Sequence, residues 1–266
     1  MATFSVIVIN YNGKEYLKKS LPRIKKSTVQ PEKVIVVDDA STDGSQDFVR
    51  KHFPDFFLKV HKENSGPPTA RNTGAKQAVG KYLIFLDNDV LVKPHTLEQL
   101  ISFMEEDGTR GICSPVLITD KGDPVWWSAG YDFGFIRSIL GKLFLWIWWK
   151  LPYAFVEKIS EPFTLNLNLR HYRHPQSVDW VSEACNIVRK DVFEEVGGFD
   201  EKFFMAHEGP DLCLRVRAVG YTVYFNPCIQ ADLLEGHSHN HKKRRKWIKQ
   251  STLYYYKKHY FSFFKS

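Results

Sequence analysis

Three short apolar runs, Phe4–Ile9, Lys33–Val37 and Tyr82–Leu86, each lead straight into Asn or Asp, at Asn10, at Asp38-Asp39 and at Asp87-Asn88-Asp89. Runs of this length between turn formers read as strands buried on both faces of a sheet. The stretches between them read as helices. Lys14–Lys25 spaces Leu17, Leu21 and Ile24 by four and three, a segment from about Gln46 to His52 follows the turn Ser41–Ser45, and one from about Thr69 to Val79 closes at Gly80. With a short strand at Phe57–Val60 the order is β-α-β-α-β-α-β. Right-handed crossovers then make the strands parallel. Parallel strands share one carboxyl edge, where open α/β sheets bind ligands. Asn10, Tyr11, Asp39, Asp87 and Asp89 are therefore expected around one cleft, the pattern of a nucleotide pocket.

An Asp-x-Asp turn at a strand end offers hard oxygen ligands to Mg²⁺ or Mn²⁺, with the second carboxylate free for a hydroxyl. A solvated capping turn ahead of Pro94 is the plainer alternative. Beyond it, Pro94–Glu106 reads as a helix, Gly111–Ile118 and Val178–Val188 as strands, and Arg189 onward as a helix stopped by Gly197-Gly198. Pro210 suits the first turn of a helix over about Asp211–Val219, which sets Glu208 at its N-terminus.

The charge is uneven. Residues 236–266 carry nine Lys/Arg and no Asp/Glu, leaving 28 basic against 30 acidic residues elsewhere. Four cysteines lack Cys-x-x-Cys spacing, which argues against a zinc site and a disulfide framework and suits a reduced, cytoplasmic setting. No signal peptide is evident at Met1–Ile9. Residues 134–155 mix Trp and Leu with Arg137, Lys142, Lys150 and Pro152, too broken for a membrane span. Such a stretch suits an in-plane interfacial helix, a core helix or an oligomer contact. Residues 241–266 alternate basic clusters with Trp, Tyr and Phe. That suits an anionic membrane surface, is compatible with nucleic acid, and also fits a solvated basic face.

Ordered motifs sharpen this reading: Ser5-Val-Ile-Val-Ile-Asn-Tyr-Asn12, Val36-Val-Asp-Asp-Ala-Ser-Thr-Asp-Gly-Ser45, Asn64-x-Gly66 with Ala70-Arg-Asn-Thr-Gly74, Leu86-Asp-Asn-Asp89, and Val196-Gly-Gly-Phe-Asp-Glu201 followed by Asp211-Leu-Cys-Leu-Arg215. The set resembles the family 2 glycosyltransferases of GT-A fold, especially their rhamnosyltransferase-like branch, across most of residues 4–230. The resemblance implies a mostly parallel central sheet flanked by helices, with a nucleotide-sugar half at about 1–118, an acceptor half at about 119–236 and a basic aromatic extension at 237–266. It also implies an inverting enzyme that uses Mn²⁺ or Mg²⁺ and moves a sugar from a nucleoside diphosphate donor to a saccharide or lipid-linked acceptor. Tyr11 and Asp39 would contact the base, with Asn10 in the same cleft. Asp87 would take the ribose, Arg71 would lie near the diphosphate and Asp89 would bind the metal. No nucleic acid is expected as a partner, and the protein is expected at the cytoplasmic face of a membrane.

Two departures stand out. Relatives carry Glu-Asp before the Asp-Leu-Cys stretch, the aspartate acting as general base, whereas this chain has Glu208-Gly209. Glu208 is the nearest remaining carboxylate and the expected base, with Asp211 as its orienting residue. Relatives also present a metal-binding His after the last strand; an ungapped comparison puts Leu233 or Leu234 there, and His237 serves if the loop shifts. The missing aspartate keeps a competing reading open, a catalytically silent nucleotide-sugar-binding or membrane scaffold protein.

Overall fold

A computed structural model describes residues 2–125, 128–130, 173–234 and 241–260. The first half follows the expected alternation: β1 (Phe4–Asn10), α1 (Lys14–Lys25), β2 (Lys33–Asp38), α2 (Ser45–His52), β3 (Phe57–Val60), α3 (Pro67–Ala75) and β4 (Tyr82–Asp87). All three strand pairings are parallel, in the order β3-β2-β1-β4. Helix α3 is shorter than expected and starts earlier, because Pro67 and Pro68 open it directly after Gly66, whose φ of 88° ends the preceding loop.

Side chains of β1 and β4 alternate between two apolar clusters, as period-two geometry requires. Val6, Val8, Tyr82, Ile84 and Leu86 meet α1, α2 and α4 on one face. Ile7, Leu83 and Phe85 meet the helices of the other face. Each fully buried Leu or Ile contributes about 1.5–3 kcal/mol relative to exposure, so pairing both faces fixes the strand register firmly. Close approach is built in at Gly74 of α3, where a Cβ would overlap Ile7 Cγ2.

The second half is mixed. A strand not anticipated from the sequence, β5 (Val90–Val92), follows the Asp-Asn-Asp turn at once; α4 (Thr96–Glu105) and β6 (Arg110–Thr119) come next. After β7 (Ala129–Gly130) and β8 (Gln176–Ser177), the expected single strand over Val178–Val188 is divided into β9 (Trp180–Val181) and β10 (Cys185–Arg189). A bend at Ser182–Ala184 separates them, held by Ser182 N donating to Ser128 O at 2.8 Å and Asn186 Nδ2 to Ser182 O at 3.1 Å. Then follow α5 (Lys190–Glu195), α6 (Glu208–Ala218) and β11 (Thr222–Leu233). The nine-stranded sheet runs β3-β2-β1-β4-β10-β6-β11-β5, with β8 paired to β11. β10 is antiparallel to both β4 and β6, while β11 runs parallel to β6.

The last helix, α7 (His241–His259), is no detached extension. Its aromatic side packs on the domain: Trp247 lies on Phe204 with ring centroids 4.4 Å apart, Tyr254 meets Phe203 at 4.8 Å and Tyr255 stacks on His207 at 5.1 Å. Asp211 and Asp200 accept hydrogen bonds from Lys258 Nζ at 2.6 and 2.8 Å. The expected interfacial stretch 134–155 lies outside the described residues.

Candidate active site

The parallel order β3-β2-β1-β4 brings the expected residues to one edge, in graded roles. Tyr11 stands 52% exposed just past β1, available for stacking. Asn10 is buried and committed to the scaffold: its Nδ2 donates to Asp38 Oδ2 at 2.8 Å and to Ser41 Oγ at 3.1 Å, and its Oδ1 accepts from Asn88 Nδ2 at 2.7 Å. These bonds tie the turns after β1, β2 and β4 together. Gly13 leaves room for that clamp, since a Cβ there would overlap Asn88 Nδ2. Asp38 also accepts from Ser41 N and Gln46 Nε2, both at 2.9 Å, a structural role.

Asp39 is likewise buried. Its Oδ1 accepts from Ser65 N at 3.0 Å and pairs with His61 Nδ1 at 2.7 Å, while Oδ2 accepts from Gly66 N at 2.8 Å. It thereby holds the loop 61–66 over the cleft and keeps acceptor capacity on Oδ2. Ala40 and Asn12, beside these residues, have φ of 64° and 49°. Left-handed backbone at non-glycine residues costs of order 1 kcal/mol or more and gathers at binding loops.

Arg71 is at the centre. Only 2% of its side chain is exposed, and it bridges two carboxylates: NH2 donates to Asp87 Oδ1 at 2.7 Å and NH1 to Glu208 Oε1 at 3.3 Å. The family resemblance implies that Arg71 lies near a diphosphate; the fold makes it the link between the carboxyl end of β4 and the N-terminus of α6. Its guanidinium also lies over Phe199, 5.5 Å from the ring centroid.

The carboxyls around it outnumber the cation. Asp89 is pushed up to about 7, first by burial and then by repulsion from Asp87. Glu183, in the bend before β10, is pushed up by burial and by Glu208, with Arg71 opposing. Burial raises Glu208 as well, against the pull of Arg71. Glu208 and Glu183 interact as neighbouring carboxyls, and Glu208 Oε2 has no hydrogen-bond partner among the described residues. Two ionised carboxylates only accept, and burial with mutual repulsion favours a proton on the pair. Among the described residues no three His, Cys, Asp or Glu side chains form a ready metal cage. His237 lies outside the described residues. β11 delivers the chain to this turn, however, with Leu234 N donating to the Asp89 carbonyl at 3.0 Å.

Glu208 opens α6 directly after Ala206 and His207, both left-handed at φ 68° and 67°. Asp211, expected beside it, faces elsewhere. Its carboxylate accepts from Arg215 Nε at 2.9 Å and NH2 at 2.7 Å, from Lys258 at 2.6 Å, and pairs with His259 Nε2 at 2.7 Å. Burial acts to raise its pKa, but His259, Arg215 and Lys258 more than offset this and hold it down near 2. The one-turn spacing placed Asp211 on the face of Glu208, yet α7 captures it. Glu183 carried no sequence signal beyond being an acid in an apolar segment; only the antiparallel pairing Cys185↔Leu86 brings it beside Asp87.

The chain matches the model of glycosyl transferase family 2 over residues 5–196. An N-acetylglucosaminyl-diphospho-decaprenol L-rhamnosyltransferase of Mycobacterium tuberculosis is 26% identical over 248 residues, covering 88% of this chain and 76% of that protein. Among solved structures, the mannosyltransferase PcManGT of Pyrobaculum calidifontis, in complex with GDP-Man and Mn²⁺, superposes with a TM-score of 0.64 at 20% identity, over 96% of this chain and 64% of that one. TarS 1–349 of S. aureus, in complex with UDP-GlcNAc, gives 0.60 at 20% identity, over 89% and 60%. These likenesses bear out the expected GT-A architecture. With the family model spanning most of its length, the chain belongs to glycosyl transferase family 2.

Proposed function

We propose that this protein transfers a sugar, with inversion, from a nucleoside diphosphate donor to a hydroxyl of a saccharide acceptor, lipid-linked or part of a surface polysaccharide. The observation that carries the reading is the Arg71 bridge between Asp87 and Glu208, which joins a nucleotide edge to an acidic helix start in one cleft. The rhamnosyltransferase named above supports the lipid-linked acceptor. Exposed Tyr11 stacks on the base, and Asp39 Oδ2 accepts from it. Asp87, tied to Arg71 through Oδ1, offers its other oxygen to a ribose hydroxyl.

The residues present fit a divalent cation: Asp89 is a hard oxygen donor whose carboxyl has no cationic partner among the described side chains, and whose proton a metal would displace. Asp89 would hold the cation, with His237 as a further ligand. When bound it neutralises charge on the departing diphosphate. The carboxyl pair of Glu208 and Glu183 takes up the proton that the acceptor hydroxyl loses as its oxygen attacks the anomeric carbon.

Membrane attachment is the finer part of the reading. No helix among the described residues is long and apolar enough to cross a membrane. The outward side of α7 presents Arg245, Lys246, Lys249 and Lys257 around exposed Leu253, a composition suited to an anionic leaflet. A screen of UDP-, GDP- and dTDP-sugars with Mn²⁺ or Mg²⁺, reading nucleoside diphosphate release, tests the transfer chemistry. Metal-dependent release from one donor supports it, and no binding of any donor by folded protein overturns it in favour of a silent scaffold.

A further inference from the structure

Gly209 lies in the first turn of α6, in ordinary helical conformation, so backbone freedom does not explain a glycine there. Space does. A Cβ at 209 would overlap Glu183 Oε2 and come within 3.2 Å of Glu183 Cδ and of the Val181 carbonyl oxygen. Real Cβ atoms do not tolerate such an overlap, so the Glu183 carboxyl would have to leave its place, and the main chain around Glu183 cannot carry it away. Its bend is fastened on both sides, with Ala184 O accepting from Asp87 N at 2.8 Å and Ser182 N bound to Ser128 O at 2.8 Å. The Glu183 carboxyl thus fills the volume that a side chain at 209 would take.

Accessibility divides the carboxyl pair. Glu208 is 2% exposed and bound to Arg71, out of reach of an incoming hydroxyl. Glu183 is less enclosed, being only partly buried.

We propose that Glu183 is the catalytic residue that meets the acceptor hydroxyl, that it passes the proton load to Glu208, and that residue 209 is glycine in order to admit it. The inference rests on the transferase reading above. In the reaction the acceptor O–H bond breaks and its proton goes to the free oxygen of Glu183. The proton that the pair already carries moves onto Glu208 Oε2, which has no hydrogen-bond partner among the described residues. The acceptor oxygen forms the new bond to the anomeric carbon, and the electron pair of the broken C–O bond leaves with the nucleoside diphosphate. The pair gains one proton and loses one negative charge, so the balance closes. Arg71 on α3, Asp87 on β4 and Glu208 on α6 are the charged groups that face Glu183.

The test uses the full chain with Mn²⁺ and UDP-GlcNAc, GDP-mannose and dTDP-rhamnose, water standing in for the acceptor. E183Q keeps the volume filled but cannot take up a proton. With a donor that the native protein turns over, we expect E183Q to lower nucleoside diphosphate release about 100-fold or more while nucleoside diphosphate binding changes less than twofold. G209D alone should lose activity and melt at lower temperature, because its side chain collides with Glu183. Combining E183G with G209D returns a carboxylate to the same volume from the helix side and should restore both properties. Native turnover with E183Q within threefold of it, or G209D as active and as stable as the native chain, overturns the proposal alone. No turnover of any donor by the native protein overturns the transferase reading, and this inference with it.

Discussion

Arg71 NH2 lies 2.7 Å from Asp87 Oδ1, in an ion pair of which the arginine is almost wholly enclosed. Through its other terminal nitrogen the same side chain reaches Glu208, so α3 holds both a strand end and the start of α6. Exposed ion pairs contribute little, but a buried one is expensive to break by removing a single partner, because the other charge stays uncompensated.

For that reason Arg71→Met is expected to lower stability by about 3–5 kcal/mol and to abolish donor turnover. Urea unfolding midpoints would show the first and nucleoside diphosphate release the second. The double variant in which Asp87→Asn accompanies Arg71→Met should recover part of the stability and none of the activity.

Asp211 is an anchor for α7. Asp211→Asn leaves Lys258, Arg215 and His259 facing a neutral amide and should cost on the order of 2–3 kcal/mol. The sign of its pH dependence follows from a folded pKa near 2, below the ordinary aspartate value. The stabilisation is fully present above about pH 4 and is lost as pH falls through 2. Unfolding midpoints of native and variant proteins should therefore differ at pH 6 and converge toward pH 2.

Asp89 has the opposite sign. Its folded pKa near 7 means that a proton must leave before a cation binds. Mn²⁺ affinity, measured by calorimetry, is expected to weaken about tenfold per pH unit below 7 and to level off above it. Asp89→Asn should remove that pH dependence along with the binding. An affinity that is flat from pH 5 to 8 would contradict the metal role.

Gly13→Ala places a methyl group into the Asn88–Asn10 clamp. Overpacking of this kind costs about 1–3 kcal/mol. Because the clamp joins the turns after β1, β2 and β4, donor affinity should fall together with the melting temperature. A loss of stability with donor affinity intact would show that the clamp does not shape the nucleotide edge.

Much of the nucleotide half was legible in the chain itself. The β1 to β4 alternation, the shared carboxyl edge and the acids on it follow from local periodicity and from the handedness of crossovers, which depend on residues near one another in sequence. β5 was not foreseen: three residues carry too little periodicity, and its partner β11 lies about 140 residues away.

The acceptor side was decided in three dimensions. Antiparallel pairing of β10 with β4 carries Glu183 to Asp87, and contact with α7 turns Asp211 from the presumed companion of Glu208 into an anchor. The gap in the Glu-Asp motif at Gly209 was plain in the sequence, but the carboxyl that fills it comes from a distant strand end. Sequence spacing fixes which face of a helix a side chain leaves from. What that side chain meets depends on long-range packing, and a buried carboxylate takes its charge and its role from what it meets.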